Sequence, residues 1–223
     1  MRFIDKSERC PEFDNYIAKN KPAVWDNFKK SIKLKLNQHL WREQKTICIY
    51  CQQQLPYKEK EIDHEEKIDH EEGISFSHIE HIRPKSKYKH LTFDYNNLSV
   101  SCQGFDCKKA DNKREFCGHR KDRPDSEYDE NKFLNPIELP DIESYFEYDM
   151  LGNIHPTSKD NKKAKKAQYM ITILDLNHKI LIDMREYVYL SSIEDKDVFL
   201  PENEILPPFY SMLKQLVPEK YSG

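Results

Sequence analysis

Long hydrophobic runs are missing from this sequence of 223 residues. A helix that crosses a bilayer needs roughly 18 to 20 consecutive apolar residues, and no stretch of the chain approaches that length. The first ten residues also lack the basic and then apolar pattern of a secretory signal. We therefore expect a cytoplasmic protein, in which cysteine thiols stay reduced.

An excess of positive charge is also missing, although 34% of the residues are charged. A net charge of −3 excludes a protein that holds nucleic acid by bulk attraction alone, because phosphate binding needs clustered Lys and Arg. The charges are unevenly distributed, however. Residues 78–123 contain eleven Lys and Arg against six acidic residues, whereas residues 59–72 contain eight acidic residues against two Lys. The acidic stretch includes the duplication IDHEEK-IDHEEG, which we interpret as a solvated loop over residues 56–73.

The composition predicts one compact α+β unit in three segments. Aromatic residues make up 12% of the chain and can anchor a core. Residues 1–45 are an N-terminal helical segment, in which apolar residues at three- and four-residue steps from Trp25 to Leu40 predict an amphipathic helix over residues 22–45. Residues 46–123 form the core with the candidate site. Residues 124–223 are a mostly helical region that we expect to bind a partner.

Two helices and an extended tail are predicted in the C-terminal region. The first helix follows Asp160 and has an apolar face that includes Ala164 and Leu174. Asn177 is placed to cap the second helix. Beyond Asp195, four prolines predict an extended segment that lies along a surface.

Five of the six cysteines have the spacing of metal ligands. Cys48 and Cys51 form a C-x-x-C pair, and Cys102 follows some fifty residues later. Thiolates gathered from two such turns make a tetrahedral zinc site, which stabilises small polar domains directly. We therefore expect Cys48, Cys51 and Cys102 to bind structural zinc. The fourth ligand is Cys107 or Cys117, and Cys117 is favoured because a Gly-His pair follows it.

A predicted strand that ends near a proline carries residues suited to phosphodiester cleavage. The run ISFSHIEHI predicts this strand, and Pro84 turns the chain away from it. Cleavage needs a divalent metal to neutralise developing charge and a base to activate water. Glu80 and His119 offer ligands for Mg²⁺ or Mn²⁺, with His78 as an additional ligand from the same strand face. His81 is the candidate general base, because imidazole titrates near neutral pH.

Asn97 has the chemistry of a positioning residue. It lies in the loop before Leu98, where its amide can bond backbone groups and hold a hairpin so that His81 is aimed correctly. A basic turn, PKSKYKH, follows the first strand. Four cationic residues near these positions are expected to contact nucleic acid: Arg83, Lys85, Lys87 and Lys121.

Four runs of sequence resemble an HNH endonuclease with a zinc-knuckle frame. They are CIYC at 48–51, HIEHIRPKS at 78–86, DYNNLSVSC at 94–102 and CGHRKD at 117–122. The resemblance narrows to the PtuB-type HNH subunits of Septu and retron-associated anti-phage defence systems. The supporting runs are WDNF at 25–28, EQ at 43–44, FLNP at 133–136, EYDMLGNIHP at 147–156 and LDLN at 174–177. The acidic duplication and residues 107–116 depart from the pattern.

This resemblance implies a ββα-metal core that is framed by zinc knuckles and flanked by helices. His81, Asn97 and His119 would be the H, N and H of the motif. The implied activity is metal-dependent cleavage of DNA, with Zn²⁺ in the frame and Mg²⁺ or Mn²⁺ in catalysis. Related subunits work with an ABC/SMC-like ATPase of the PtuA type, which would supply the grip on DNA that a net charge of −3 does not.

Two other functions fit part of the sequence. A zinc-ribbon module that binds nucleic acid or protein without cutting it would explain the cysteines and the basic turn. It gives no reason for Glu80 and His81 at a strand end with Asn97 and His119 downstream. An HNH nuclease that cleaves RNA, for example tRNA, would use the same residues on another polymer.

Overall fold

The fold combines helices with two small antiparallel sheets, in a computed structural model that describes residues 1–55, 77–104, 116–194 and 205–221. Within these residues the helices are α1 (Pro11–Asn20), α2 (Lys30–Glu43), α3 (Cys117–Lys121), α4 (Asn161–Ile173), α5 (Lys179–Glu194), α6 (Tyr210–Leu216) and α7 (Pro218–Tyr221). The strands are β1 (Ser77–His81), β2 (Leu98–Cys102), β3 (Phe146–Tyr148) and β4 (Ile154–Pro156). The predicted α+β class is confirmed. The predicted acidic loop and Cys107 lie outside the described residues.

The pair of strands β1 and β2 forms the centre of the candidate site. They are antiparallel, with Ser77 opposite Cys102 and His81 opposite Leu98. Every residue of β2 is buried, because both α2 and α3 pack against this strand. A short helix therefore lies against the two-stranded sheet, in the chain order β1, β2, α3.

Gln44, just after α2, connects three parts of the core. Its side chain is fully buried, and Nε2 donates to the carbonyls of Ile47 at 3.0 Å and Val100 at 2.8 Å. Its Oε1 accepts the Val100 N–H at 2.6 Å. Because a buried amide is stable only when its polar atoms are paired, these bonds hold the end of α2 against β2 and the first cysteine turn.

The N-terminal helix begins later than predicted. Instead of starting near residue 22, α2 starts at Lys30, and Trp25–Asn27 form a 3₁₀ turn. The Phe28 ring packs edge-on against Phe13 of α1, with 5.9 Å between ring centroids. The chain turns at this contact before the helix begins. The spacing of apolar residues along the sequence does not indicate such a contact with another element.

Two predictions for the C-terminal region are wrong. Asn177 does not cap α5, because its side chain pairs with the Ile154 backbone: Oδ1 accepts the N–H at 2.9 Å and Nδ2 donates to the carbonyl at 2.9 Å. The tail is not extended throughout, since residues 210–216 form α6. Three of the tail's prolines precede or follow this helix rather than interrupting it, which is where proline is tolerated.

The segment around α6 packs against the first cysteine turn. The Gln52 side chain is buried, and its Nε2 donates to Ser211 Oγ at 2.9 Å while its Oε1 accepts the Ser211 N–H at 2.9 Å. The Phe209 N–H donates to the Gln52 carbonyl at 2.8 Å. Residues late in the chain thus support the cysteine turn. Among the described residues, none of the helices has the length and apolar character needed to cross a membrane.

Candidate metal centre and active site

The first cysteine pair lies in a tight turn. Ile47 and Gln54 form an antiparallel bridge, and the Cys48 N–H donates to the Gln53 carbonyl at 3.0 Å. Gln52 adopts a left-handed conformation with φ of 64°. The Gln53 N–H also points to Cys51 Sγ at 3.5 Å. The turn therefore directs both thiols to one side.

Four buried thiols meet where this turn faces the end of β2 and the start of α3. The sulfur atoms of Cys48, Cys51, Cys102 and Cys117 all lie within 4.8 Å of one another. Two of the separations are 4.0 Å between Cys48 and Cys117 and 3.8 Å between Cys51 and Cys102. A tetrahedral ion with metal–sulfur bonds of about 2.3 Å spaces its ligands about 3.8 Å apart. The four cysteines therefore fit a metal such as zinc, and the favoured Cys117 is in the group.

The surroundings of the thiols are those of a closed metal centre. The Cys102 N–H donates to Cys48 Sγ at 3.4 Å, which stabilises negative charge on the sulfur. Burial opposes ionisation of Cys48, but hydrogen bonds from the neighbouring thiols outweigh burial and lower the pKa of Cys48. Burial raises the pKa of Cys117 well above its usual range. A bound dication would favour the thiolate form of all four ligands.

Asn97 connects the two sides of the loop between β1 and β2. Its Nδ2 donates to the carbonyls of Arg83 at 3.1 Å and Leu91 at 3.2 Å. Its Oδ1 accepts the Arg83 N–H at 2.8 Å. The Asn97 carbonyl accepts the Ile82 N–H at 3.0 Å. The backbone that directly follows His81 is consequently fixed by Asn97, whose side chain is buried.

His81 occupies a nearly closed site at the end of β1. Only 5% of its surface is exposed, and the Trp25 ring packs edge-on against the imidazole with 4.5 Å between centroids. His81 Nε2 lies 3.0 Å from the Thr92 carbonyl oxygen. Because a carbonyl only accepts, Nε2 carries the proton and Nδ1 holds the lone pair. Burial lowers the pKa of His81 to about 4, so the ring is neutral at pH 7.

This low pKa predicts a pH dependence of stability. The folded-state pKa of His81 lies below its unfolded value of about 6.5, so the folded state binds fewer protons in this range. The contribution is complete above pH 6.5 and is lost as the pH falls from about 6.5 to about 4. Between pH 7 and pH 5 the free energy of unfolding should fall by about 2 kcal/mol more in the wild type than in His81→Gln. Urea unfolding at both pH values measures the difference, and equal losses would contradict it.

The Glu80 carboxylate is buried and has three hydrogen-bonding partners. Its Oε1 accepts from the Tyr50 hydroxyl at 2.9 Å and lies 3.1 Å from Lys121 Nζ. Its Oε2 lies 3.2 Å from His78 Nε2. Burial opposes the ionised form, but Lys121 and His78 outweigh it and lower the pKa of Glu80 to about 2. The neighbouring Asp122 is affected in the opposite sense, because burial and Glu80 raise its pKa to about 6.

Lys121 corrects one prediction about nucleic-acid binding. Its side chain is fully buried, and Nζ donates to the His81 carbonyl at 2.9 Å and to Asp122 Oδ1 at 2.5 Å. A buried ammonium in these bonds cannot reach a phosphate outside. Instead, Lys121 neutralises Glu80, so the predicted metal ligand Glu80 already faces a cation.

Gly118 allows α3 to approach Glu80 closely. A Cβ atom at this position would lie 2.2 Å from Glu80 Oε2 and 2.6 Å from its Cδ. Since Tyr50 and Lys121 hold the carboxylate, Gly118→Ala should lower the free energy of unfolding by about 1–3 kcal/mol, measured by urea denaturation. Arg120→Ala, on the half-exposed side of the same helix, is the control and should change it far less. Stability of Gly118→Ala at or above wild type would contradict this packing.

His78 and His119 lie side by side, next to Glu80. Their ring centroids are 4.0 Å apart. His119 Nε2 lies 2.9 Å from Gln103 Oε1. His78 Nδ1 is buried and has no hydrogen-bond partner in the ranges that the structure describes. Among the described residues, however, the four cysteines are the only group of three or more His, Cys, Asp or Glu side chains that could hold a metal ion.

The remaining predicted cationic contacts differ in their availability. Arg83 is held by Glu130, with Nε 2.6 Å from Oε1, and by Glu138, with 2.8 Å between Nη1 and Oε1. Lys85 and Lys87 are exposed; the Lys87 ammonium donates to the Tyr128 carbonyl at 3.2 Å. The exposed lysines of the basic turn are thus better placed to meet an anion than Arg83 is.

Several residues around the site were not predicted. Tyr50 lies inside the C-x-x-C pair, where only the cysteines have the spacing of metal ligands. Thr92 contributes its backbone carbonyl. Every residue type has this group, so the sequence gives no signal for it. The spacing of apolar residues places Trp25 on a helix face. The run WDNF that contains it is among those that support the resemblance.

Comparison with known proteins identifies no family for this chain. No family model matches it, and no curated protein matches it.

Proposed function

We propose that this protein is a metal-dependent HNH endonuclease that cleaves phosphodiester bonds in DNA. The observation that supports this best is the loop fixed by Asn97, which holds His81 at the end of β1 with Nε2 bonded to the Thr92 carbonyl. This is the arrangement that a general base needs, since its orientation and tautomer are both set.

In this proposal, His81 Nδ1 removes the proton from the attacking water. The Nε2–H bond to the Thr92 carbonyl leaves Nδ1 as the basic atom. Burial keeps the pKa of the imidazole low, at about 4, so the free base is present at neutral pH. Trp25 restricts rotation of the ring from one side. Asn97 positions His81 through the backbone and takes no proton itself.

Zinc in the four-cysteine site has a structural role in this proposal. The ligands come from the first cysteine turn, from the end of β2 and from the first residue of α3. A closed site of four thiolates leaves no position for a substrate. It fixes α3 against β2, which places His119 near His78.

A catalytic Mg²⁺ or Mn²⁺ would be held by His119 and His78, next to Glu80. It would stabilise negative charge on the phosphate and on the leaving oxygen. His78 Nδ1 lacks a partner, which fits a position that a ligand or solvent completes. Mg²⁺ and Mn²⁺ favour carboxylate and water oxygens over imidazole, so water and phosphate oxygens would have to complete a site that the two histidines begin. Glu80 would take part only if Lys121 moved away from it.

We further propose that the protein acts as the nuclease subunit of an ATPase-coupled anti-phage defence complex, together with an ABC/SMC-like ATPase. The chain has a net charge of −3. Three of the four cations predicted to bind nucleic acid, Arg83, Lys85 and Lys121, lie within ion-pair distance of carboxylates. Affinity for DNA should therefore come in large part from the partner.

A zinc-ribbon binding module is the second candidate, and the Glu80–Lys121 ion pair is the observation that favours it. In such a module the ion pair is a permanent structural contact, and the histidines nearby have no catalytic role.

Incubation of supercoiled plasmid with the zinc-loaded protein separates these functions. With Mg²⁺ or Mn²⁺, alone or together with an ABC/SMC-like ATPase, the nuclease should produce nicked and linear DNA, whereas Ca²⁺ should support binding without products. Retarded but intact plasmid under every condition would favour the binding module. Cleavage of a structured RNA with intact plasmid would identify the RNA-directed alternative.

A further inference from the structure

A cavity of about 190 Å³ is lined in part by Arg83 and includes none of the four clustered cysteines. Three aromatic side chains, Tyr128, Phe133 and Tyr145, line it together with Lys166 of α4. The Tyr128 and Phe133 rings pack with 5.1 Å between centroids. Pockets for drug-sized molecules measure about 300–1,000 Å³, so this cavity suits a smaller, flat group.

Asn135 gives the cavity a free hydrogen-bond donor. Only 8% of its surface is exposed, and it lines the cavity. Its Oδ1 accepts the Ile137 N–H at 3.0 Å, which leaves Nδ2 to donate. That nitrogen is buried and has no hydrogen-bond partner within the described part of the chain. Buried donors are rarely left unpaired, so an acceptor on a bound molecule would complete this group.

Two cations and two carboxylates line the cavity, and one of the cations is unpaired within the described ranges. Arg83 is already matched by Glu130 and Glu138. Lys166 also lines the cavity, and it has no ion-pair partner among the described residues. One cation is therefore available, beside an aromatic wall and an amide donor.

We propose that this cavity binds a nucleobase, with the attached phosphate at Lys166. A planar heterocycle has the π-faces that aromatic walls favour, and each of the common bases carries an acceptor for Asn135 Nδ2. Since Asn135 Oδ1 is occupied by Ile137, the amide offers one bond rather than the two that select adenine, and binding is not specific for one base. The base comes from a free nucleotide or from a nucleic-acid chain. The proposal does not depend on the nuclease activity.

Calorimetric titration with adenosine, AMP and a single-stranded DNA of twelve mixed nucleotides, without Mg²⁺, tests the cavity. Asn135→Asp keeps an acceptor for Ile137 but removes the donor, and it should weaken adenosine binding at least tenfold while far-UV circular dichroism stays unchanged. Lys166→Gln should weaken AMP binding and spare adenosine. Lys165→Gln, an exposed neighbour on the same helix, is the control and should change neither.

Each outcome decides the proposal or the source of the base. Binding of AMP that depends on Asn135 supports the proposal and identifies a free nucleotide as sufficient. Binding of the DNA alone, with the same dependence, supports it and assigns the cavity to a base within a chain. If none of the three ligands shows binding that Asn135→Asp weakens, the proposal is overturned. His81→Ala should leave these affinities unchanged, which separates this result from the outcome for the nuclease.

Discussion

Cys48→Ser should lose the bound metal and, with it, the folded core. Cys48 Sγ lies among the other three sulfurs and also accepts the Cys102 N–H. Structural zinc contributes about 10–16 kcal/mol of apparent binding free energy in small zinc domains, whereas whole proteins are stable by about 5–15 kcal/mol. A chain that loses one of its zinc ligands therefore loses most of its free energy of unfolding. Elemental analysis should fall from one zinc per chain to none, and the near-ultraviolet circular dichroism should collapse.

Cys10→Ser is the matched control for this variant. Cys10 is also buried and free, but it is not one of the four clustered thiols. Its replacement should retain one zinc per chain and change the free energy of unfolding by far less than Cys48→Ser does. A Cys48→Ser protein that stays folded with its zinc would show that the four thiols do not form a metal centre.

His81→Ala should reduce plasmid cleavage by about 10²–10⁴-fold, the usual contribution of a general base. The reason is loss of the one imidazole whose orientation is fixed by the Thr92 carbonyl and the Trp25 ring. Rates of nicking in Mn²⁺, measured from gel densities, give the comparison with wild type.

His90→Ala controls for a general effect of removing a histidine from this loop. His90 is exposed and lies in the same connection between β1 and β2, so its variant should cut at nearly the wild-type rate. Zinc content should be normal in both proteins, because neither histidine touches the thiols. If His81→Ala cut as fast as His90→Ala, His81 would not be the base.

The features that could be predicted from sequence are those that spacing encodes. The C-x-x-C pair with later cysteines indicated four ligands, and the structure brings Cys48, Cys51, Cys102 and Cys117 together. Period and proline placement indicated the strand at Ser77–His81, and the hairpin that Asn97 was expected to hold has its second strand at Leu98–Cys102. Predictions from such local patterns are reliable because the residues that form each pattern lie within one or two elements.

The features that could not be predicted depend on contacts between distant parts of the chain. Lys121 looked like a surface cation, but α3 is only five residues long and turns this side chain inward to Glu80. Glu80 lies 41 positions before Lys121 in the chain, and neither residue type indicates that the two side chains meet. Likewise, Ser211 contacts Gln52 from the opposite end of the chain. Helical periodicity alone could not reveal that Trp25 leaves its helix to pack on His81.

The most direct test of the proposed active site is the location of Mn²⁺ in a crystal of the zinc-loaded protein, by anomalous diffraction on either side of the manganese edge. The account predicts one zinc peak among the four cysteine sulfurs and one manganese peak next to the imidazoles of His78 and His119. A zinc peak with no manganese near these two histidines would contradict the nuclease and favour the binding module.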